Sequence, residues 1–307
     1  MTGGAAVDLG SNAARLLVRR DGRPPLRRSH LTHLSADLSA TGRLGPDALD
    51  RTAAVLRSYR ALIDEEGVPL VATVATAAAR DAANADALSE LVTQILGSPL
   101  RVLTPEEEAR LTFAGVRAAG VAPGSRLVVD IGGGSTEVVV GDAEPAGASS
   151  LEIGGASLTW AQLPSDPPRP EELSNAIAIV QEHVDDALRS LPDLDDGLPV
   201  IGTGGTVTTV AAVEIGLPVS DGDGTEDLVD ESLHGFWLSR AAAEDVFRTL
   251  AGEAERDRIH NPGLPRQRAG IIVGGCCILV GLLRRLGAPG LHVSLADLLD
   301  GLLEPVD

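Results

Sequence analysis

The chain has 307 residues, 44% of them hydrophobic but only 2% aromatic, and carries a formal net charge of −19. That length favours two domains over one, with a core built from Ala, Val, Leu and Ile. The charge excludes a general nucleic-acid-binding surface. No stretch approaches the roughly 20 apolar residues of a membrane span, and the N-terminus carries no signal-peptide pattern. A cytoplasmic protein with neither nucleic-acid nor membrane partners is expected.

Taken in chain order, residues 5–34 read as three strands with short turns, the middle turn carrying Asp21 and Gly22. Pro46 to Glu66 has helical spacing and stops at Gly67. A short buried strand follows at 70–74, then an alanine-rich helix from Thr76, a helix at 86–96 and a strand at 100–103. Thr104 is placed as N-cap and Pro105 at the first helical position of a helix running to about Ala119. The order then restarts, with strands at 126–130, 136–141 and 146–153 and a helix from Ala156. After a proline-rich joint at 164–170 come a helix at 171–190, a strand at 198–201 and another helix. Residues 218–232, rich in Asp and Gly, read as a solvated loop, followed by helices at 239–250 and 264–286, a strand at 291–294 and a last helix from Leu295. Two similar α/β domains facing across a cleft are therefore expected, 1–120 and 121–307, with the boundary and a hinge near Gly120.

The repeat is visible in the residues themselves. Val7-Asp8-Leu9-Gly10-Ser11-Asn12 returns as Val129-Asp130-Ile131-Gly132-Gly133-Gly134-Ser135-Thr136. Each copy is an apolar run ending in Asp, a turn of small residues, and a second apolar run beginning at Arg15 or Glu137. Strand, glycine turn and strand make a β-hairpin, and glycines and small hydroxyls at its tip let backbone N–H groups close on an anion. Two such hairpins can pinch a phosphate chain and a metal between them. Asp8 and Asp130 each end a strand beside a turn, where a carboxylate can hold Mg²⁺ through water. A third glycine turn, Gly202-Thr203-Gly204-Gly205-Thr206, joins a strand to a helix and aims the helix N-terminus at an anion.

Other features have plain structural explanations. Acids in the first turn of a helix, as in Glu106-Glu107-Glu108, favour the macrodipole, and Thr76 to Asp81 reads as an amphipathic helix start. His30 and His33, if both lie in a strand, point to opposite faces and cannot pair on a metal. Cys276 and Cys277 are neighbours in an apolar stretch and fit a buried role in a reducing compartment. All 25 basic residues are arginine. Base composition accounts for that, but any side-chain cation gripping an oxyanion here must be a planar, bidentate guanidinium.

The stretches VDLGSNAARLLV, ATAAARDAAN, TPEEEARLTFAGV, VDIGGGSTEVVVG, SLEIGGASLT, IGTGGTVTTVAA, LHGFWLSR, LPRQRAGIIVGGCCIL and VSLADLLDGLL, spread from residue 7 to residue 303, resemble the exopolyphosphatase/guanosine pentaphosphate phosphohydrolase family. The resemblance implies an α/β fold of two duplicated actin-like (ribonuclease H-like) domains flanking a phosphate-binding cleft. It implies an Mg²⁺-dependent hydrolase, with Mn²⁺ as an alternative metal, that removes the terminal phosphate of inorganic polyphosphate. Guanosine pentaphosphate is the alternative substrate, a weakly active phosphate-sensing module is the reading from another class, and a homodimer is expected.

By the same resemblance Glu108 matches the catalytic glutamate that positions or activates water, and Glu137 the second carboxylate beside it. Asp8 and Asp130 match the acids that handle the metal, and Arg80 an arginine near the phosphate cleft. Gly10, Ser11, Asn12, Gly132, Gly133, Gly134, Ser135 and Thr136 match the two phosphate cradles, with Gly204, Gly205 and Thr206 as the third turn. Ala13 departs from the usual Ser of the first loop. The matched stretch ends after the last core helix, where longer members continue into a helical HD-like domain, so distributive action on short chains is the corresponding expectation.

Overall fold

A computed structural model describes residues 3–195, 197–218 and 230–304. The first half contributes β1 (Gly4–Leu9), β2 (Ala13–Arg20), β3 (Arg23–Leu31), α1 (Leu38–Thr41), α2 (Pro46–Glu66), β4 (Leu70–Ala75), α3 (Ala77–Asp81), α4 (Ala85–Leu96), β5 (Leu100–Val102) and α5 (Pro105–Ala118). The second contributes β6 (Arg126–Ile131), β7 (Thr136–Gly141), β8 (Pro145–Leu151), α6 (Gly155–Gln162), α7 (Pro170–Ser190), β9 (Val200–Thr203) and α8 (Gly204–Ile215). It ends with β10 (Trp237–Ser239), α9 (Arg240–Gly252), α10 (Glu255–Arg258), α11 (Ile272–Arg285), β11 (Gly290–Val293) and α12 (Leu298–Leu302). Of the Asp/Gly-rich loop expected at 218–232, residues 219–229 lie outside the described residues.

Two mixed sheets result, ordered β3-β2-β1-β4-β5 and β10-β11-β9-β6-β7-β8. In each, an antiparallel hairpin (β1–β2, β6–β7) is followed by a strand parallel to its first arm (β4, β9). The second sheet thus repeats the first, with β10 added at its far edge. This is the duplicated actin-like arrangement, and strands clothed on both faces explain why β1 and β6 are buried at every position.

Period-two alternation decides which side chains face inward. Ala5, Val7 and Leu9 of β1 pack with Leu56, Tyr59 and Ile63 of α2 and Leu88 and Val92 of α4. On the opposite face Ala6 and Leu17 meet Leu299 of α12. Likewise Leu127, Val129 and Ile131 belong to the large outer core of the second half, whereas Val128, Val139 and Ile201 meet Ala109, Phe113 and Val116 of α5. Helices α5 and α12 are therefore packed together between the two sheets, and Asp8 and Asp130 share the faces of Ala6 and Val128 that look into this layer. The two helices cross closely: a Cβ on Gly115 would strike the Asp297 carbonyl, and one on Gly301 the Leu111 carbonyl.

Local signals account for the boundaries. Thr104 accepts from the Glu107 amide while Glu107 caps the Thr104 amide at 2.9 Å, the reciprocal capping box that starts α5. The helix expected over 264–286 begins only at Ile272, after a single turn of 3₁₀ helix at Arg266–Arg268. Arg258 is buried and donates to the Ala269 carbonyl at 2.6 Å, taking an acceptor that a continuous helix would need. The last helix starts at Leu298 rather than Leu295, because Asp297 is its N-cap and accepts from the Leu299 amide. Strand β3 stops at Leu31, so His33 is not in a strand; it has φ of 48° and its ring Nδ1 lies 2.8 Å from Asn12 Oδ1. Cys276 and Cys277 are free and buried in α11. Among the described residues no helix is long and apolar enough to cross a membrane.

Candidate active site

The two hairpin turns have the same backbone closure. The Gly10 amide donates to the Ala13 carbonyl and the Gly132 amide to the Ser135 carbonyl, both at 3.0 Å. The turns meet across the gap between the sheets, where a Cβ on Gly134 would collide with the Ser11 hydroxyl. The second turn is clamped from behind, because the Gly155 and Ala156 amides at the start of α6 donate to the Gly132 and Gly133 carbonyls at 2.9 and 3.0 Å. The third turn closes the floor. Gly204 has φ of +86°, a left-handed conformation that favours glycine, and its Cα lies against Asp130 Oδ1 and leaves no room for a side chain.

These turns enclose a cavity of about 90 Å³ lined by Asp8, Arg15, Glu108, Asp130, Glu137 and Arg268. Gly10, Ser11, Asn12, Gly132, Gly133, Gly134, Ser135, Gly204, Gly205 and Thr206 also line it. Two of the sequence-derived site residues do not. Thr136 is buried and donates its hydroxyl to the Ile153 carbonyl at 2.8 Å. Arg80 lines an adjoining cavity of about 1000 Å³ and reaches the site through Glu108 Oε2, 2.9 Å from its Nη1.

Electrostatics set this cavity apart. Register pairs Asp8 with Arg15 across the first hairpin and Asp130 with Glu137 across the second. Arg15 sits 2.6 Å from Asp8 Oδ2 and 2.6 Å from Asp297 Oδ2. Burial opposes its charge, but Asp297, Asp8 and Asp130 outweigh that and hold the guanidinium protonated. Asp130 has only distant cations. Burial first, then Asp297, Glu108 and Asp8, push its pKa up to about 7 against the pull of Arg15. Burial and the charges of Glu108 and Asp130 likewise raise Glu137 well above the carboxylate range, although the Ser135 and Ser150 hydroxyls hydrogen-bond it; the Ser150 hydroxyl donates at 2.9 Å. Burial raises Glu108 and Arg80 pulls it down, for a net upward shift.

One oxygen stands out. Asp8 Oδ1 is buried and has no hydrogen-bond partner among the described residues. Such an orphan acceptor is costly unless something comes to it. The described residues include no group of three or more His, Cys, Asp or Glu able to cage a metal unaided. What the cleft offers instead is one unpartnered carboxylate oxygen and an under-neutralised Asp130, hard oxygen donors of the kind that fit a hard divalent cation.

Four contributors escaped sequence reasoning: Arg15, Asp297, Arg268 and His33. Arg15 was legible in principle, since it stands seven residues after Asp8 as Glu137 does after Asp130. Arg268 and Asp297 depend on where α11 and α12 begin, and His33 on the end of β3.

Two facing glycine hairpins, a third glycine turn and a carboxylate-rich floor define a phosphate-handling enzyme of the actin-like architecture. The sequence profile of the Ppx/GppA phosphatase family matches residues 24–304. "Exopolyphosphatase 2" of Mycobacterium tuberculosis is 35% identical over 319 aligned positions, covering 97% of this chain and 96% of the relative. Among crystal structures, an exopolyphosphatase-like protein superposes with a TM-score of 0.88 at 30% identity over 98% of this chain and 96% of the other. The Aquifex aeolicus Ppx/GppA family member gives 0.78 at 31% over the same shares. The chain belongs to the Ppx/GppA phosphatase family, and is a phosphoanhydride hydrolase.

Proposed function

We propose that this chain is an Mg²⁺-dependent exopolyphosphatase in which Glu108 and Glu137 orient and deprotonate the attacking water. The observation that carries this reading is the meeting of those two carboxylates, one from the start of α5 and one from the start of β7, in a cavity walled by both glycine turns. Phosphoryl transfer asks mainly for positioning and charge neutralisation. Backbone N–H groups of the two turns cradle the terminal phosphate, with Arg268 and Arg15 near its oxygens and Arg80 at the mouth. The water oxygen bonds to the terminal phosphorus as the bridging P–O bond breaks, and that bond's electrons leave with the shortened chain. The water's proton passes to the glutamate pair, whose burial among other carboxylates raises both pKa values and so strengthens their hold on that proton. Asp8, through its open Oδ1, and Asp130 hold the cation; Mg²⁺ bound there supplies charge neutralisation of the phosphate oxygens.

A second reading, 5′-hydrolysis of guanosine pentaphosphate, is favoured by the adjoining 1000 Å³ cavity. Its wall includes Trp160, 46% exposed, and the hydroxyls of Ser35, Ser39, Ser149 and Ser157. An aromatic face and hydroxyls suit a nucleoside. Phosphate release from polyphosphates of defined length and from guanosine pentaphosphate, each with Mg²⁺ and with excess chelator, tests both readings. Faster release from polyphosphate, lost in chelator, is expected. Preference for guanosine pentaphosphate would move the assignment to the second reading, and phosphate binding without turnover would make the chain a sensor.

A further inference from the structure

The first hairpin turn is held from outside by the segment that follows β3. The Thr32 and His33 amides both donate to the Asn12 carbonyl at 2.9 Å, and the Ser35 amide donates to the Ser11 carbonyl at 2.9 Å. Among the described residues His33 is the one non-glycine residue with positive φ, at 48°. Its ring Nδ1 lies 2.8 Å from Asn12 Oδ1. We propose that His33 is a positioning residue for substrate binding, whose ring fixes the Asn12 carboxamide so that its nitrogen, and not its oxygen, meets the phosphate chain. The inference rests on the hydrolase reading above, in which the hairpin turns hold the terminal phosphate.

Position is the first argument. Asn12 is 5% exposed and lines the catalytic cavity. It stands four residues after Asp8, as Gly134 does after Asp130, and a Cβ on Gly133 would come within 2.7 Å of Asn12 Cβ. The Asn12 side chain therefore fills the gap between the two turns. Hydrogen-bond polarity is the second argument. A carboxamide is nearly symmetric in shape and its last torsion is roughly two-fold, so packing alone does not choose between nitrogen and oxygen. The bond to His33 does choose. Asn12 Oδ1 has no hydrogen to give, so His33 Nδ1 carries the proton and donates it. With Oδ1 turned to the ring, Nδ2 is the group left to donate elsewhere. A donor aimed in advance at an oxyanion needs no reorganisation when substrate arrives, whereas a flipped amide would set an oxygen against the phosphate. Third, the left-handed backbone crowds the Cβ of a residue such as histidine. Conformations of this kind persist where surrounding contacts impose them, and they cluster at binding sites. Here two consecutive amides and the ring converge on the backbone and side-chain oxygens of one residue, Asn12.

The test compares two variants of the full chain that share a shape and differ in polarity. His33→Asn puts an amide N–H near the place of ring Nδ1, and His33→Asp puts a carboxylate oxygen there. Both replacements tolerate the left-handed backbone. With Mg²⁺ and tripolyphosphate, His33→Asp should raise KM about tenfold or more and leave kcat within about threefold, the pattern of lost uniform binding. His33→Asn should hold KM within about threefold of wild type. A merely structural fault would lower the active fraction, and hence kcat, without moving KM. On an Asn12→Ala background His33→Asp should raise KM no more than about threefold, which separates amide positioning from the added negative charge. Equal KM values for His33→Asn and His33→Asp, or an undiminished effect of His33→Asp on that background, would overturn the proposal. Calorimetric titration with tripolyphosphate separates this proposal from the hydrolase reading. Affinity weakened by His33→Asp but not by His33→Asn in a protein without turnover keeps the positioning role and discards the hydrolase assignment. Turnover with KM and affinity alike in both variants does the reverse.

Discussion

Arg15 and Glu137 occupy the same place in the two copies of the hairpin: Arg15 is the cross-strand partner of Asp8, and Glu137 that of Asp130. The duplication therefore preserved the aspartate and changed its neighbour's charge. In the first copy the acid is neutralised by a guanidinium 2.6 Å away. In the second, two acids face one another and both titrate high. One hairpin has become the fixed side of the cleft and the other the side where a proton or a cation is needed.

The first prediction concerns Arg15. It bridges Asp8 to Asp297, the N-cap of α12, and so ties the first turn to the helix layer between the sheets. Arg15→Gln should destabilise the protein by on the order of 3 kcal/mol, because buried carboxylates lose their partner. Adding Asp8→Asn should recover part of that loss, so that the double variant is more stable than the sum of the singles implies. Additive effects in urea melts would show that the pair is not coupled.

The second concerns the water-handling pair. Glu108→Gln and Glu137→Gln keep shape and remove the proton acceptor, so each should fold normally and lower kcat by about 10²–10⁴-fold. Glu137→Gln retains an acceptor for the Ser150 hydroxyl, so its circular dichroism and melting temperature should match or exceed those of wild type. Near-normal phosphate release from both variants would remove the pair from the mechanism.

Much of this was readable beforehand. The repeat, both hairpins, the N-cap at Thr104 and both aspartates follow from local spacing, and alternation alone puts Asp8 with Ala6 and Asp130 with Val128. The rest depends on contacts between residues far apart in the chain. Whether the last helix begins at Leu295 or Leu298 depends on Asp297 meeting Arg15, 282 positions away. Arg268 lies against the third glycine turn in a stretch that is not part of α11, where Arg258 takes the Ala269 carbonyl that a continuous helix would need. Thr136 read as part of the cradle, yet its hydroxyl is spent on Ile153 because the strand has already begun there.

The third prediction is a stability profile. In metal-free protein Asp130 titrates near pH 7, against 3.8 for an ordinary aspartate. Between those values the folded state binds more protons than the unfolded one, so unfolding free energy falls as pH rises. Over that window the loss from Asp130 is on the order of 4 kcal/mol. The melting temperature of wild type minus that of Asp130→Asn should therefore fall from pH 4 to pH 8 in chelator, and Mg²⁺ should restore it at pH 8. A flat difference, with no response to Mg²⁺, would mean that Asp130 is already neutralised.

The fourth addresses the helix layer. Since α5 and α12 touch where a Cβ on Gly115 or Gly301 would overlap backbone carbonyls, Gly115→Ala should push the helices apart. Overpacking of this kind costs about 1–3 kcal/mol, and it should appear as a lower melting temperature. Because these helices join the two sheets, kcat should fall as well, with KM moving less. Wild-type stability for both Gly115→Ala and Gly301→Ala would contradict the close crossing.

The last prediction is substrate length. Among the described residues the front cavity carries Asp81, Glu106 and Glu152 beside the single cation Arg80, and the chain as a whole is at −19 with no lysine. A long polyanion gains at each cation it meets and is repelled by carboxylates within about a Debye length, roughly 8 Å at physiological salt. Affinity should thus come from the few phosphates nearest the hairpins, and kcat/KM per chain should level off at short oligophosphates. Each cleavage should be followed by release, so a gel of a partial digest should show a ladder of intermediates. Raised ionic strength should help long chains at least as much as short ones, because the screened interaction is mainly repulsive. Degradation of chains hundreds of units long with no visible intermediates would mean that a basic track, absent from the walls of the front cavity, holds the polymer between successive cleavages.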